Sequence, residues 1–213
     1  KNYMNYNLEL KMNSLILLAA GTGKRAKTKI PKQFIKIKNQ YRIISYSIDL
    51  FRESKFIDEI IIVVCKGWKR IISRENRDCK VVMGGKTRTE SSFIGLKACS
   101  KGCQKVLIHD AARPFISNNL ITDIYSKLSK FDAVIPTLSN YDSTIIINND
   151  LLEYIDHTSI KFIQTPQGFN YKDIFVAYNN NNLNFSDDMS LLLSHNKNVN
   201  YCILNGKKSN FKI

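Results

Sequence analysis

The sequence contains few prolines and glycines, which interrupt helices and strands, and few cysteines, which can form disulfides. Among 213 residues there are four prolines, nine glycines and five cysteines. This excludes collagen-like and low-complexity chains, and a hydrophobic content of 44% with 23% charged residues is typical of a globular protein. A chain of this length buries about 70% of the surface that its unfolded form exposes, which suffices for one core without disulfides. We therefore expect a single domain over residues 12–213, preceded by an extension, residues 1–11.

The five cysteines are odd in number and include no Cys-x-x-Cys pair. This pattern argues against a disulfide framework and against a zinc knuckle. Cys99 and Cys103 lie four positions apart on a predicted helix, but two ligands without nearby histidine partners make a poor metal site. We expect free thiols in a reducing compartment.

The sequence also lacks a hydrophobic run long enough to cross a membrane, which takes about 18 residues. The run 15–20 is short even for a signal peptide, and it leads directly into a glycine loop that needs it as a strand. We expect a cytoplasmic protein with no membrane partner.

Acidic residues are scarce, since 18 Asp and Glu stand against 32 Lys and Arg, which gives a net charge of +14. Such an excess can indicate nucleic-acid binding through counterion release. The basic residues are, however, scattered along the chain, and the longest basic runs are pairs such as Lys24-Arg25 and Lys207-Lys208. We expect no nucleic-acid partner and assign part of the charge to binding anionic small molecules.

Short apolar runs alternate with longer amphipathic segments over the first two thirds of the chain. This order predicts parallel strands joined by helices, that is, an α/β fold with a Rossmann-like, open and mostly parallel sheet. The predicted strands are 14–19, 59–65, 80–83, 105–109 and 133–136, and the predicted helices are 43–51, 69–77, 90–99 and 119–130.

From Ser143 onwards the pattern changes. Residues 144–147 and 151–155 are predicted to be two strands around the tight turn Asn148-Asn149-Asp150. Because an isolated hairpin is only marginally stable, it usually rests on another surface. We predict a protruding hairpin arm over about residues 142–157 that joins two subunits into a homodimer.

A glycine loop, Gly21-Thr22-Gly23-Lys24-Arg25, follows the first predicted strand. Glycines let backbone N–H groups approach a phosphate, although a tight turn without a ligand stays open from this loop alone. The P-loop spacing is absent, and so is the acidic residue of a dinucleotide-binding loop. Lys32 follows in Pro31-Lys32-Gln33, so two cations, Arg25 and Lys32, could clamp a triphosphate and neutralise charge at the attacked phosphorus.

Two further segments have features of a ligand site. Gly84-Gly85 opens a predicted helix with Ser91 in its first turn, a pattern that fits either ligand binding or a capped helix start. Asp110 follows an apolar strand, and a carboxylate at the carboxyl end of a parallel strand lies where open α/β sheets bind ligands and can hold Mg²⁺.

Together with the segment Gln164–Phe169, these motifs resemble the 2-C-methyl-D-erythritol 4-phosphate cytidylyltransferase family, a branch of the sugar-nucleotide and alditol-phosphate nucleotidyltransferases. The resemblance covers about residues 13–213. It implies that methylerythritol phosphate is joined to CTP with release of pyrophosphate and with Mg²⁺ as cofactor. The segment QTPQGF, with Phe185–Asp188 after it, looks most like the cytidylyltransferase half of bifunctional enzymes. A ribitol-5-phosphate cytidylyltransferase and a lapsed nucleotide-binding protein stay open as alternatives.

The resemblance also implies residue roles. Arg25 and Lys32 would stabilise the transition state, and His109 would be structural because an ionised phosphate acceptor needs no base. His157 stands where the family pattern places an arginine that reaches the partner subunit's site, and the family normally continues beyond Ile213. The implied catalytic set is Arg25, Lys32, His157 and Lys212; the CTP-binding set is Ala19, Ala20, Gly21, Gly85, Ser91, Asp110 and Ala111; Asp110 would also bind Mg²⁺; Arg113 and Thr165, with Lys212, would face the methylerythritol phosphate.

Overall fold

The structure, a computed structural model of the chain, describes residues 11–21, 30–37, 41–149, 151–180 and 185–213. These residues form ten strands and six α-helices, which alternate as far as β5. The strands are β1 Met12–Ala19, β2 Glu59–Val64, β3 Lys80–Met83, β4 Cys103–Asp110, β5 Ala133–Ser139, β6 Thr144–Asn148, β7 Leu151–Ile155, β8 Lys161–Ile163, β9 Gln167–Asn170 and β10 Tyr201–Asn205. The helices are α1 Ile43–Arg52, α2 Lys69–Glu75, α3 Arg88–Ala98, α4 Asn118–Lys127, α5 Tyr171–Asn180 and α6 Asp188–His195.

Eight strands form the central sheet, in the order β10-β5-β9-β4-β1-β2-β3, with β8 paired to β5. β1 pairs in parallel with both β2 and β4. β2 also pairs in parallel with β3, and β10 pairs in parallel with β5. β9 runs antiparallel between β4 and β5, and β8 is antiparallel to β5. The predicted fold class, α/β with an open and mostly parallel sheet, is confirmed.

Helices cover both faces of the sheet, and the side chains of β1 show why. Leu15 and Leu17 join a core that α1, α2 and α4 cover, whereas Ile16 and Leu18 join a core under α3, α5 and α6. Because successive side chains of a strand point to opposite faces, a strand buried on both sides is continuously apolar. Each such side chain that leaves water contributes about 1.5–3 kcal/mol.

The order of the strands also fixes where a ligand can bind. From β1 the chain builds outward through β2 and β3, and then returns to the other side of β1 as β4. At such a reversal the connections after two adjacent strands leave in opposite directions, which opens a crevice at their carboxyl ends. In this chain the crevice lies beyond Ala19 at the end of β1 and Asp110 at the end of β4.

The five predicted strands and four predicted helices of the first two thirds are all present, with ends shifted by a few residues. The predicted hairpin is confirmed as β6 and β7, which pair antiparallel as a separate two-stranded sheet. Strands β8, β9 and β10 and helices α5 and α6 were not predicted. All five cysteines are free thiols. Over the described ranges, no helix is both long enough and apolar enough to span a membrane.

Candidate active site

A cleft of about 490 Å³ lies at the carboxyl ends of β1 and β4, where the strand order reverses. Within the described part of the chain its lining includes four basic side chains and a single carboxylate. This charge balance suits a polyanionic ligand. The lining residues are Leu18, Ala20, Gly21, Lys32, Gln33, Lys86, Thr87, Arg88, Ser91, Asp110, Ala112, Lys212 and Ile213.

One wall of the cleft joins the end of β1 to a short 3-10 helix, Lys32–Phe34. The buried Gln33 side chain ties the two together, because its Nε2 donates to the carbonyls of Ala19 at 2.7 Å and Gly21 at 2.8 Å. Lys32 extends across the cleft, where its Nζ donates to the backbone carbonyl of Ile213 at 2.8 Å. The ammonium group therefore lies inside the cleft.

The opposite wall is the loop that precedes α3. Thr87 caps this helix by accepting from the Glu90 amide at 3.0 Å. The Ser91 hydroxyl accepts from the Gly85 amide at 3.2 Å and donates to the Thr87 carbonyl at 2.8 Å. A Cβ on Gly84 would lie 2.5 Å from the Ala20 Cβ, so only glycine lets the two walls approach this closely. Ser91 thus shapes the loop as well as lining the cleft.

The cleft floor is an ion-pair chain centred on Asp110. Arg88 bridges two carboxylates, with Nε 3.2 Å from Asp110 Oδ1 and Nη2 2.8 Å from Asp188 Oδ2, and Lys212 Nζ lies 2.7 Å from Asp110 Oδ2. Burial favours a raised pKa for Asp110, but Arg88 and Lys212 outweigh it and hold the pKa of that carboxyl well below its usual range. Asp110 is therefore ionised at neutral pH.

His109 lies behind this floor and is fully buried. Its Nδ1 is 3.0 Å from the Thr165 hydroxyl, which also accepts from the Asp110 amide at 3.0 Å, and its Nε2 is 3.0 Å from the Arg113 carbonyl. Burial lowers the pKa of His109 to about 4. His109 is thus neutral at pH 7, with both ring nitrogens hydrogen-bonded inside the protein.

The depressed pKa predicts a pH dependence of folding stability. The folded pKa, about 4, lies below the ordinary value of 6.5, so the unfolded chain takes up the proton first as the pH falls. The contribution to stability is complete above about pH 6.5 and is lost as the pH falls towards the folded pKa. We expect an NMR titration of the folded protein to show the His109 ring protonating near pH 4. A midpoint near 6.5 would contradict the buried arrangement.

The segment after β10 closes the cleft from the third side. Arg113 Nη1 donates to the Asn210 carbonyl at 2.7 Å, and Asn210 Nδ2 donates to the Thr165 carbonyl at 2.8 Å. The Ile213 amide donates to the Ala112 carbonyl at 2.9 Å. These bonds hold the segment against β4 and thereby bring Lys212 to Asp110.

The structure brings most of the predicted site residues to one place. Ala20, Gly21, Lys32, Ser91, Asp110 and Lys212 line the cleft, and Ala19, Gly85, Ala111, Arg113 and Thr165 contact this lining or follow it directly in the chain. Arg25 lies outside the described residues. His157 begins a 3-10 helix, His157–Ser159, immediately after the hairpin, and it does not line this cleft in the described part of the chain.

Seven of the lining residues were not assigned from the sequence, among them Gln33, Lys86 and Arg88. Gln33 and Arg88 stand inside motifs already recognised, but nothing local marks them. The partners of Gln33 are backbone carbonyls, and Asp188, the partner of Arg88, is 100 positions away. For Lys86 a local signal was available, since a basic side chain directly after the glycine turn Gly84-Gly85 indicates anion binding.

An open α/β sheet with a cationic cleft at its strand reversal and one ionised carboxylate fits an enzyme of the nucleotidyltransferase class. The comparison with family models identifies which one: residues 14–213 match the IspD model, described as 2-C-methyl-D-erythritol 4-phosphate cytidylyltransferase. The chain belongs to this family.

Comparisons with individual proteins and solved structures agree with this family assignment. The chain is 37% identical, over 213 aligned positions, to the 2-C-methyl-D-erythritol 4-phosphate cytidylyltransferase of Clostridium botulinum (strain Langeland), covering 94% of this chain and 91% of that one. It is 34% identical to the bifunctional enzyme IspD/IspF of Pelagibacter ubique, over 95% of this chain but 54% of that protein. The crystal structure of 4-diphosphocytidyl-2C-methyl-D-erythritol synthase from Anaerococcus prevotii superposes with a TM-score of 0.84 at 30% identity, covering 95% of this chain and 90% of that chain.

Proposed function

We propose that the cleft catalyses attack of the phosphate oxygen of 2-C-methyl-D-erythritol 4-phosphate on the α-phosphorus of CTP. The bond from the α-phosphorus to the oxygen that bridges to the β-phosphate breaks, and the products are 4-diphosphocytidyl-2-C-methyl-D-erythritol and pyrophosphate. Membership of the IspD family supports this reaction. The observation that carries it in this chain is the cluster of Lys32, Lys86, Arg88 and Lys212 around a single carboxylate.

The arrangement accounts for catalysis without a general base. A phosphate monoester is largely ionised at neutral pH, because its second pKa is about 6. His109, the histidine next to the cleft floor, is fully buried and hydrogen-bonded on both ring nitrogens. Catalysis then rests on positioning the two anions and on fixed positive charge at the attacked phosphorus.

In this proposal each residue's role is assigned from the wall of the cleft on which it lies. Lys32, with Arg25, stabilises the charge that develops in the transition state. The backbone at Ala20 and Gly21 and the loop shaped by Gly85 and Ser91 hold the nucleotide. This assignment is supported by the lining of the cleft and by the Gly85–Ser91 hydrogen bond.

On the acceptor side, Lys212 binds the phosphate of the acceptor, and Arg113 and Thr165 position that side of the cleft. Support comes from the hydrogen bonds of Arg113 to Asn210 and of Asn210 to Thr165, which hold the segment that carries Lys212.

The residues present fit Mg²⁺ that arrives with the nucleotide. No group of three Asp, Glu, His or Cys side chains gathers as a metal site in the ranges that the structure describes. Asp110 supplies one ionised carboxylate, and Mg²⁺ in nucleotide sites commonly uses one or two carboxylates and takes its other ligands from phosphates and water. Asp110 would hold the ion, which when bound neutralises triphosphate charge.

The acceptor is tested by pyrophosphate release from CTP and Mg²⁺ with either methylerythritol phosphate or ribitol 5-phosphate. We expect release that depends on methylerythritol phosphate and at least a tenfold lower rate with ribitol 5-phosphate at equal concentration. Release with ribitol 5-phosphate alone would assign the chain to that other acceptor. CTP binding without release from either would indicate a lapsed enzyme.

We also propose a homodimer that forms through the hairpin. Directly paired residues of two strands share a face, so Ile147 and Leu152 lie on the same face as Ile145 and Tyr154. These side chains are strongly exposed, with Tyr154 76% and Ile147 66% accessible. An exposed apolar face of this kind on a two-stranded sheet marks an interaction surface. His157, two residues after the end of β7, would then reach the partner's cleft. A cytoplasmic location is proposed alongside, supported by the five free thiols.

This proposal predicts that Tyr154→Asp abolishes the dimer, because a charge placed in the apolar face would be desolvated without a partner. Sedimentation velocity at micromolar concentration is expected to show a dimer for the parent chain and a monomer for the variant. Glu153→Gln, on the opposite face of the same strand, is the control and should stay dimeric. A monomeric parent chain would contradict the proposal.

A further inference from the structure

The turn that carries Lys32 is too short to hold itself. It is a 3-10 helix of three residues, and its preceding residue, Pro31, makes no side-chain capping bond. Such short helices have poor hydrogen-bond geometry and depend on their surroundings. What fixes Lys32 must therefore come from elsewhere in the fold.

Gln33 holds one side of the turn to the end of β1. A second support is a set of four side chains that we call the Trp68 cluster: Phe34 of the turn itself, Arg42, Trp68 and Glu75. Phe34, the last residue of the turn, is fully buried and stacks on Trp68 with ring centroids 4.4 Å apart and an interplanar angle of 18°. Trp68 in turn lies under the Arg42 guanidinium, whose Cζ is 5.1 Å from the ring centroid. Aromatic stacking and a cation over the face of an indole ring both stabilise this packing.

Arg42 connects this stack to both the turn and helix α2. Its Nη1 donates to the Phe34 carbonyl at 2.7 Å. Its Nε and Nη2 form a fork to Glu75, at 2.7 Å and 2.9 Å. The Arg42 side chain is nearly buried, so its bond to the Phe34 carbonyl is shielded from water, whereas the fork to the 40%-exposed Glu75 is partly open to it. A single side chain thus links the carbonyl at the end of the turn to the carboxyl end of α2.

Residues 35–37, which follow the turn, pair antiparallel with residues 41–43. The Ile37 amide donates to the Tyr41 carbonyl at 2.9 Å, and the Ile43 amide donates to the Ile35 carbonyl at 3.1 Å. This short antiparallel pairing returns Arg42 to the side of Phe34.

We propose that Arg42, Trp68 and Glu75 are positioning residues that set the rate of catalysis by holding Lys32 in place. The proposal rests on the catalytic role of Lys32 given under the proposed function. A charge stabiliser acts fully only when it is fixed before the reaction, and a displacement of about 1 Å can cost a hundredfold in rate. Arg42 cannot be replaced by lysine here, since lysine has neither the fork nor the planar face.

The kinetic test compares Arg42→Lys with the parent chain. We expect kcat to fall about tenfold while the KM for CTP changes less than twofold. In a Lys32→Ala background the same substitution should lower the rate less than twofold, because the side chain it positions is already gone. Arg52→Lys is the matched control, since Arg52 makes the same fork to Asp78 on the exposed surface. An equal loss with and without Lys32 would overturn the proposal.

A second measurement does not depend on activity. Hydrogen exchange of the Phe34 and Ile35 amides, which bond to the Pro31 and Lys32 carbonyls, reports the order of the turn directly. We expect exchange about tenfold faster in Arg42→Lys and unchanged in Arg52→Lys. If the parent chain releases no pyrophosphate, the proposed function fails while this readout still tests the Trp68 cluster. Unchanged exchange, or faster exchange with unchanged kcat, would overturn the inference.

Discussion

Replacement of Lys32 by alanine is expected to lower turnover by a hundredfold or more, the scale on which removal of one preorganised charge stabiliser acts. Lys32 extends into the cleft, where its Nζ lies 2.8 Å from the Ile213 carbonyl, and it has no role in the core. The fold should therefore survive, and the loss should appear mainly in kcat. Steady-state pyrophosphate release is the measurement.

The control for this prediction is Lys127→Ala, which removes the same charge from an exposed position at the end of α4. Its rate should stay within twofold of the parent chain. An equal loss in both variants would show that net charge, rather than the position of Lys32, governs the rate. A Lys32→Ala variant with full activity would remove the basis of the proposed chemistry.

The second large effect concerns stability. Arg88→Met is expected to reduce the free energy of unfolding by about 3–5 kcal/mol, because it leaves a buried charge without its partner. That charge is Asp188, which is fully buried and lies 2.8 Å from Arg88 Nη2. Urea denaturation followed by circular dichroism measures the loss. Activity should fall as well, since Arg88 also contacts Asp110.

Two variants make this prediction specific. Arg52→Met breaks an ion pair whose side chains are about half exposed, so it should cost only about 0–1 kcal/mol. The double variant Arg88→Met with Asp188→Asn removes the orphaned charge and should recover about half of the loss. A cost below 1 kcal/mol for Arg88→Met alone would contradict the ion-pair chain described at the cleft floor.

The core of the fold was predictable because it follows from local pattern. β1 is continuously apolar over residues 15–19, as a segment buried on both faces of a sheet must be, and Asp110 ends a strand with the apolar run 106–108. The order of strands and helices then places both strand ends at one crevice. The hairpin was equally visible from its two apolar runs and its asparagine turn.

The missed elements depend on contacts that a local pattern does not contain. β9 reads Gln-Gly-Phe-Asn, which no strand pattern favours. It is buried because Gln167 accepts from the Met189 amide and because a Cβ on Gly168 would lie 2.6 Å from Ile124. The Arg88–Asp188 pair joins residues 100 positions apart. β10, by contrast, alternates exposed and half-buried residues, and its period of two was a usable signal.

The most direct test of the central claim follows the phosphorus atoms of CTP. The parent chain is given methylerythritol phosphate, Mg²⁺ and CTP labelled at either the α- or the γ-phosphorus. We expect the α-label to move entirely into the diphosphocytidyl product and the γ-label entirely into pyrophosphate, in equal amounts. Transfer of the γ-label to methylerythritol phosphate, or release of the α-label as CMP, would contradict attack on the α-phosphorus in this cleft.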